Sequence, residues 1–280
     1  MSAPVKRPSG NRAAAVSELR PVAIPDFAAA KAKGVRLTML TAYDYTMARL
    51  LDAAGVDGLL VGDSLGMVVQ GQPDCLAVTL EEMTYHARLV VRGARRSLVV
   101  ADLPFMSYQV SPQQALESAG RLVKEGGAHA VKLEGGVRSA AAVAAITAAD
   151  IPVMGHVGLT PQSVRRLGGF KVQRDADRLL EDALAVEAAG AFALVVECVP
   201  ADLAQRITAA VKVPTIGIGA GPHCDGQILV TPDLLGLFED LRPRFVKHYA
   251  DLGREVVRAA ESYCREVRDG AFPAPEHSFH

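Results

Sequence analysis

Three acidic residues stand at the ends of short apolar runs: Asp63 after Gly58–Val61, Asp102 after Leu98–Ala101, and Glu134 in Val131-Lys132-Leu133-Glu134-Gly135-Gly136. The last stretch alternates apolar and charged residues, and read as a strand it puts Lys132 and Glu134 on one face. Opposite charges at the tip of an apolar strand are costly to bury unless they pair with each other, a metal or a ligand. Two further runs repeat the design, Val153–Gly155 ending at His156 and Leu194–Val196 ending at Glu197. Neighbouring strands lie about 5 Å apart, so carboxylates on adjacent tips can share one hard cation. Oxygen donors alone, with coordination positions left over for substrate, suit Mg²⁺.

A cation held by Asp63, Asp102 and Glu134 suits a 2-oxo acid, which chelates through its carboxylate and keto oxygens. Lys132 then suits an anionic substrate group or a developing enolate, and His156 is a candidate hydrogen-bond donor to a substrate oxygen. Glu197, apart from the three and flanked by Val196 and Cys198, is the candidate general base for the proton beside the carbonyl. Each residue also has a purely structural reading. The acids can cap helices, Lys132 and Glu134 can form a solvated ion pair, and His156 can be a satisfied core histidine. The run Gly217-Ile218-Gly219-Ala220-Gly221 permits an anion to approach the backbone, but short glycine runs also serve as turns.

Elements that would position these groups alternate along the chain. A short helix over Ile24–Gly34 precedes a strand at Arg36–Thr41. Further strands are read at Gly58–Val61, Leu98–Ala101, Val131–Glu134, Pro152–Gly155, Ala193–Val196 and Pro214–Ile218, with a short eighth at Ile228–Thr231. Helices fall between them, for example Thr79–Gly93, opened by the capping pattern Thr79-Leu80-Glu81-Glu82, and Ser111–Glu125 with Pro112 at its first position. A final helix spans Phe245–Val267. Such alternation implies parallel strands with right-handed crossovers, and eight units close as a (β/α)8 TIM barrel. An open doubly wound sheet is the competing fold. Closure is favoured because polar groups end many successive strands and converge only if the sheet curls. The expected organisation is a disordered tail over 1–20, a barrel over 21–269 with an N-terminal helix and an extended C-terminal helix, and a tail over 270–280.

Bulk properties exclude several functions. Half of the 280 residues are hydrophobic, which supports one large core. A net charge of −1 with scattered Lys and Arg, 5% aromatics and no Trp argue against a nucleic-acid surface. No apolar run reaches membrane-spanning length, and no secretory signal is expected. Cys75, Cys198, Cys224 and Cys264 are far apart and read as reduced thiols.

The segments Thr41-Ala42-Tyr43-Asp44-Tyr45, Val61-Gly62-Asp63-Ser64-Leu65-Gly66, Ala101-Asp102-Leu103-Pro104-Phe105 and Val131–Gly136 resemble the ketopantoate hydroxymethyltransferase family. So do Gly155-His156-Val157-Gly158-Leu159-Thr160-Pro161-Gln162, Glu197-Cys198-Val199-Pro200 and Ile216–Gly221, in order from about Pro21 to Val267. The resemblance implies transfer of a hydroxymethyl group from 5,10-methylenetetrahydrofolate to 3-methyl-2-oxobutanoate, giving 2-dehydropantoate for pantothenate and coenzyme A synthesis. It implies a Mg²⁺-dependent barrel enzyme, cytoplasmic and usually a homodecamer. Asp63, Asp102 and Glu134 would be its metal positions, Asp63, Ser64, Asp102 and Lys132 its oxo-acid contacts, and Glu197 its proton acceptor. Two other functions remain: C–C or P–C bond cleavage, as in the phosphoenolpyruvate mutase and isocitrate lyase group, and a non-catalytic oxo-acid sensor. The segments around His156 and Glu197 favour the transferase, and a sensor would not need both Lys132 and Glu197.

Overall fold

Eight short parallel strands pair in sequence order and close, with β8 returning to β1. They are β1 (Leu37–Thr41), β2 (Gly58–Val61), β3 (Leu98–Asp102), β4 (Ala130–Glu134), β5 (Val153–Gly158), β6 (Ala193–Glu197), β7 (Thr215–Ile218) and β8 (Gly226–Leu229). This computed structural model describes residues 20–238, 240 and 243–279, so the tail expected over 1–20 lies outside them except for Arg20. The chain divides after Leu229 into two compact units.

The strands read as near-continuous apolar runs because both faces are covered. Outward residues such as Val99, Ala101, Val131, Leu133, Leu194 and Val196 join one core layer with the surrounding helices. Inward residues, among them Met39, Leu98, Val100, Ala130, Met154, Val195, Ile216 and Ile228, fill the barrel itself. Phe27 packs into this inner layer from α1 (Ile24–Lys33), edge-on to Phe192 at 5.5 Å. The period of two therefore has one consequence for the site. On β4, Lys132 and Glu134 continue the inward row begun by Ala130, beyond the level where the apolar filling ends.

The helix signals act as their chemistry requires. The Thr79 hydroxyl accepts from the Glu82 amide, and the Glu82 carboxylate accepts from the Thr79 amide, opening the helix Leu80–Gly93. The Ser111 hydroxyl accepts from the Gln114 amide, opening Pro112–Lys124 without a reciprocal bond. Three boundaries differ most from the sequence reading. β5 continues to Gly158, past the expected end at Gly155, so His156 lies within the strand. The eighth strand is Gly226–Leu229, because Thr231-Pro232 begins a short helix instead of continuing the strand. The second unit's long helix is Leu252–Arg268, shorter at its start than expected. There the Tyr249, Leu252 and Gly253 amides donate to the Leu234, Leu235 and Gly236 carbonyls, bonds that an earlier helical turn would have used internally.

Candidate active site

The register of the barrel decides which groups meet. Asp102, last on β3, is paired with Lys132 on β4, and Glu134 is paired with His156 on β5. Glu197, last on β6, lies opposite Gly158. Asp63 follows β2 after Gly62; a Cβ at Gly62 would stand 2.8 Å from Ser64 Oγ and 3.5 Å from Asp102 Oδ2. Glycine there lets the Asp63 amide approach and donate to Asp102 Oδ2 at 3.1 Å. The expected residues are thus brought to one end of one barrel, the end where the carboxyl tips of the strands lie.

Asp63, Asp102, Lys132, Glu134 and His156 are all buried, whereas the Glu197 side chain keeps 16% of its surface exposed. Lys132 Nζ lies 3.0 Å from Asp102 Oδ1. That contact is a charge pair too oblique to count as a hydrogen bond, so Asp102 Oδ1 is a buried oxygen without an aligned donor. Fully ionised, three carboxylates exceed the one ammonium by two negative charges in a buried site. Burial and mutual repulsion respond accordingly: burial, then Asp63, push Asp102 up to about 6 against the pull of Lys132. Burial raises Asp63, and burial with Asp63 raises Glu134 well above the ordinary glutamate range. Burial alone would depress Lys132, but Asp102, Glu134 and Asp63 outweigh it and hold the ammonium firmly protonated.

His156 bridges the two halves of the site. Burial and then Lys132 lower its pKa, so the ring is neutral. Lys132 Nζ is 3.4 Å from Nδ1, which assigns the ring proton to Nε2, 3.2 Å from Glu197 Oε2. The contact to Glu197 is off-axis, and Nε2 is the second buried atom without an aligned partner. Ser64 shares a 2.9 Å hydrogen bond with the Tyr43 hydroxyl. Gly219 and Gly221 have positive φ, and a Cβ on Gly221 would meet Ala201 at 2.5 Å, so the glycine run is accounted for as a turn.

Two residues escaped prediction as site residues. Gln162, in the turn after β5, donates its amide N–H to Glu134 Oε2 at 3.0 Å and its side-chain Nε2 to Asp63 Oδ2 at 2.8 Å. Tyr108, likewise missed, donates its hydroxyl to Gln162 Oε1 at 2.8 Å and accepts from the Glu134 amide. Gln162 lies in a segment singled out for family resemblance; nothing local marks Tyr108.

Among the described residues, no three His, Cys, Asp or Glu groups form a ready-made metal site. One oxygen of Asp63 and one of Glu134 are turned to Gln162, and Asp102 is turned to the Asp63 amide and Lys132. By donor type and charge the set nevertheless fits a hard divalent ion. It offers carboxylate oxygens only, an oxygen with no aligned donor, and a deficit that a +2 charge cancels.

A closed parallel barrel with ionisable groups gathered at its carboxyl strand tips is the arrangement of a TIM-barrel enzyme. Solved structures share the fold. A phosphonopyruvate hydrolase complexed with oxalate and Mg²⁺ aligns with TM-score 0.60 at 17% identity, covering 91% of this chain and 92% of that one. A 2,3-dimethylmalate lyase of the PEP mutase/isocitrate lyase superfamily aligns with TM-score 0.58 at 17% identity, covering 91% of each chain. At the sequence level the ketopantoate hydroxymethyltransferase family matches residues 21–275. The 3-methyl-2-oxobutanoate hydroxymethyltransferase of Moorella thermoacetica is 59% identical over 262 residues, 92% of this chain and 97% of that protein. The Pelobacter propionicus enzyme of the same name is 55% identical over 261 residues, with the same coverage. The chain belongs to the ketopantoate hydroxymethyltransferase family.

Proposed function

We propose that this chain transfers a hydroxymethyl group from 5,10-methylenetetrahydrofolate to 3-methyl-2-oxobutanoate, forming 2-dehydropantoate, with Mg²⁺ held by Asp63, Asp102 and Glu134. The observation that carries this reading is the division of the acids. Three are buried around a single ammonium, and the fourth, Glu197, stands apart behind a neutral histidine. Bound there, a divalent ion supplies Lewis acidity to the 2-oxo carbonyl. Lys132 holds negative charge on the oxo acid, with Ser64 and Asp102 as further contacts, and its raised pKa keeps it a cation throughout. Glu197 takes the C3 proton onto a carboxylate oxygen; His156 Nε2, 3.2 Å from Glu197 Oε2 but off-axis to it, is a candidate contact for the substrate. The carbanion so formed bonds to the one-carbon unit as the carbon–nitrogen bonds that hold it to the folate break; one water supplies the hydroxyl oxygen, and tetrahydrofolate leaves with its nitrogens protonated.

Homo-oligomerisation to a decamer and a cytoplasmic setting belong to the same proposal. Val256, Val257 and Tyr263 on the second unit's long helix are more than half exposed, apolar surface that self-association would cover. No helix among the described residues is long and apolar enough to cross a membrane.

The test is deuterium exchange at C3 of 3-methyl-2-oxobutanoate, followed by NMR with and without Mg²⁺ and folate. Exchange should need Mg²⁺ but not folate, and Glu197→Gln should abolish it while retaining oxo-acid binding. Exchange that persists in Glu197→Gln moves the base role to another residue. Exchange indifferent to Mg²⁺ removes the metal from the reaction.

A further inference from the structure

We infer that Gln162 is the positioning residue of the acidic site, a neutral clamp that fixes Asp63 and Glu134 without cancelling the charge a divalent cation needs. The inference rests on the proposed cation binding and concerns how this chain prepares for it. Gln162 sits in the single turn Pro161–Ser163 after β5 and is buried. Five hydrogen bonds hold it. Its backbone N–H donates to Glu134 Oε2 at 3.0 Å, and Nε2 donates to Asp63 Oδ2 at 2.8 Å and to the Leu103 carbonyl at 3.0 Å. Its Oε1 accepts from the Tyr108 hydroxyl at 2.8 Å and from Gln109 Nε2 at 3.0 Å.

Those partners fix the orientation of the amide. A flipped side chain would turn its oxygen to Asp63 and the Leu103 carbonyl, two acceptors, and lose both of those bonds. Gln162 therefore ties the segments after β2 and β3 and the tip of β4 to the turn after β5, and holds one oxygen of each of the two carboxylates. The choice of glutamine has an electrostatic reason. A lysine or arginine here would hold the same two carboxylates but would neutralise the deficit that attracts the cation. An amide donates more weakly than an ionised group but adds no positive charge, so the acids keep their attraction for a cation.

Mg²⁺ tolerates little deviation from octahedral geometry, whereas Ca²⁺ accepts six to eight oxygens in flexible arrangements. A clamp on ligand geometry should thus matter more for the smaller ion. The test is calorimetric titration of the full-length chain with MgCl₂ and CaCl₂, for the parent and for Gln162→Met, which keeps volume but donates nothing from its side chain. Mg²⁺ affinity should fall at least about tenfold, as for other residues that orient metal ligands, with Ca²⁺ affinity changing less than about threefold. Circular dichroism should show an intact barrel. Tyr108→Phe removes the hydroxyl that orients the amide; it should weaken Mg²⁺ binding in the same direction by a smaller factor, and it decides the matter if Gln162→Met does not fold. Unchanged Mg²⁺ affinity in the folded variants, or equal losses for both ions, overturns the assignment. Failure of the parent to bind Mg²⁺ would instead sink the proposed use of the cation, and the clamp with it.

Discussion

At the amino end of the barrel, Lys31 Nζ reaches the Thr208 and Val213 carbonyls and Asp225 Oδ2, and the same aspartate oxygen accepts from the Thr215 amide and hydroxyl. Arg96 pairs with Asp57 and caps the Gly55 and Val56 carbonyls, while Asp52 accepts from the Arg96 and Ser97 amides. Here each acid meets its cation or its amides, and backbone hydrogen bonds lower the Asp52 pKa despite burial. At the carboxyl end the sign reverses. Three acids share one lysine, their pKa values are raised, and two buried polar atoms lack aligned partners. The same kinds of residue close the fold at one end and are left unneutralised at the other. A satisfied charge network is evidence about folding, and an unsatisfied one, in a buried place, points to a ligand.

Substitutions at the two ends should therefore separate activity from stability. Asp63→Asn, which keeps an acceptor for Gln162 but removes a charge, should cost at least about 10²-fold in Mg²⁺ affinity. Thermal unfolding without the cation should leave its midpoint unchanged or higher, since an uncompensated buried carboxylate has gone. A variant that unfolds early yet binds Mg²⁺ normally would erase the contrast between the ends. Glu197→Gln should lower turnover by about 10² to 10⁴-fold, the usual worth of a positioned base, with Mg²⁺ affinity held. At the opposite end, Asp225→Ala strips Lys31 and Thr215 of a shared partner and should cost about 2–4 kcal/mol by denaturant unfolding. Its kcat and KM, measured where it is still folded, should match the parent.

The contrast also has a pH signature. Asp102 is raised to about 6 in the folded chain, so unfolded chains lose that proton first as pH rises. Without cation, this group's contribution to stability therefore declines from about pH 4 through about pH 6. A bound cation favours the ionised carboxylate and opposes that decline. The gain in unfolding temperature on adding saturating Mg²⁺ should be larger at about pH 7.5 than at about pH 5. An equal gain at both would mean that the cation binds away from these acids.

How much of this was legible in the sequence depends on the range of the interactions involved. Lys132 and Glu134 could be placed together because strand alternation is local, and barrel closure was favoured because polar groups end so many successive strands and converge only if the sheet curls. The expected acids and Lys132 then met through strand register. Gln162 was not legible as a site residue because its partners Asp63 and Glu134 lie 99 and 28 residues away, and no local pattern marks a side chain that works only after the barrel closes. The start of the last helix misled for a related reason. Phe245, Val246 and Tyr249 have helix-like spacing, but the Tyr249 amide donates to Leu234.

The smallest expected effect lies where the two kinds of demand meet in one residue. Cys198 follows Glu197 directly and holds φ at +48°, a left-handed conformation that disfavours any side chain. Its backbone is fixed on both sides, N–H donating to the Ile218 carbonyl and C=O accepting from the Gln173 amide. The turn therefore persists because the flanking bonds impose it, and it aims Glu197 inward at the end of β6. Burial and then Glu197 push the Cys198 thiol up to about 12, so the sulfur is neutral and not a nucleophile at ordinary pH. Cys198→Gly should relieve the conformation, offset by a freer unfolded chain, for a net change within about 1 kcal/mol. Cys198→Val, β-branched in a left-handed turn, should cost about 1–2 kcal/mol more than the glycine variant and lower turnover with it. Equal stability and turnover in the two variants would show that the turn does not constrain Glu197, and would leave His156 as the group that sets its direction.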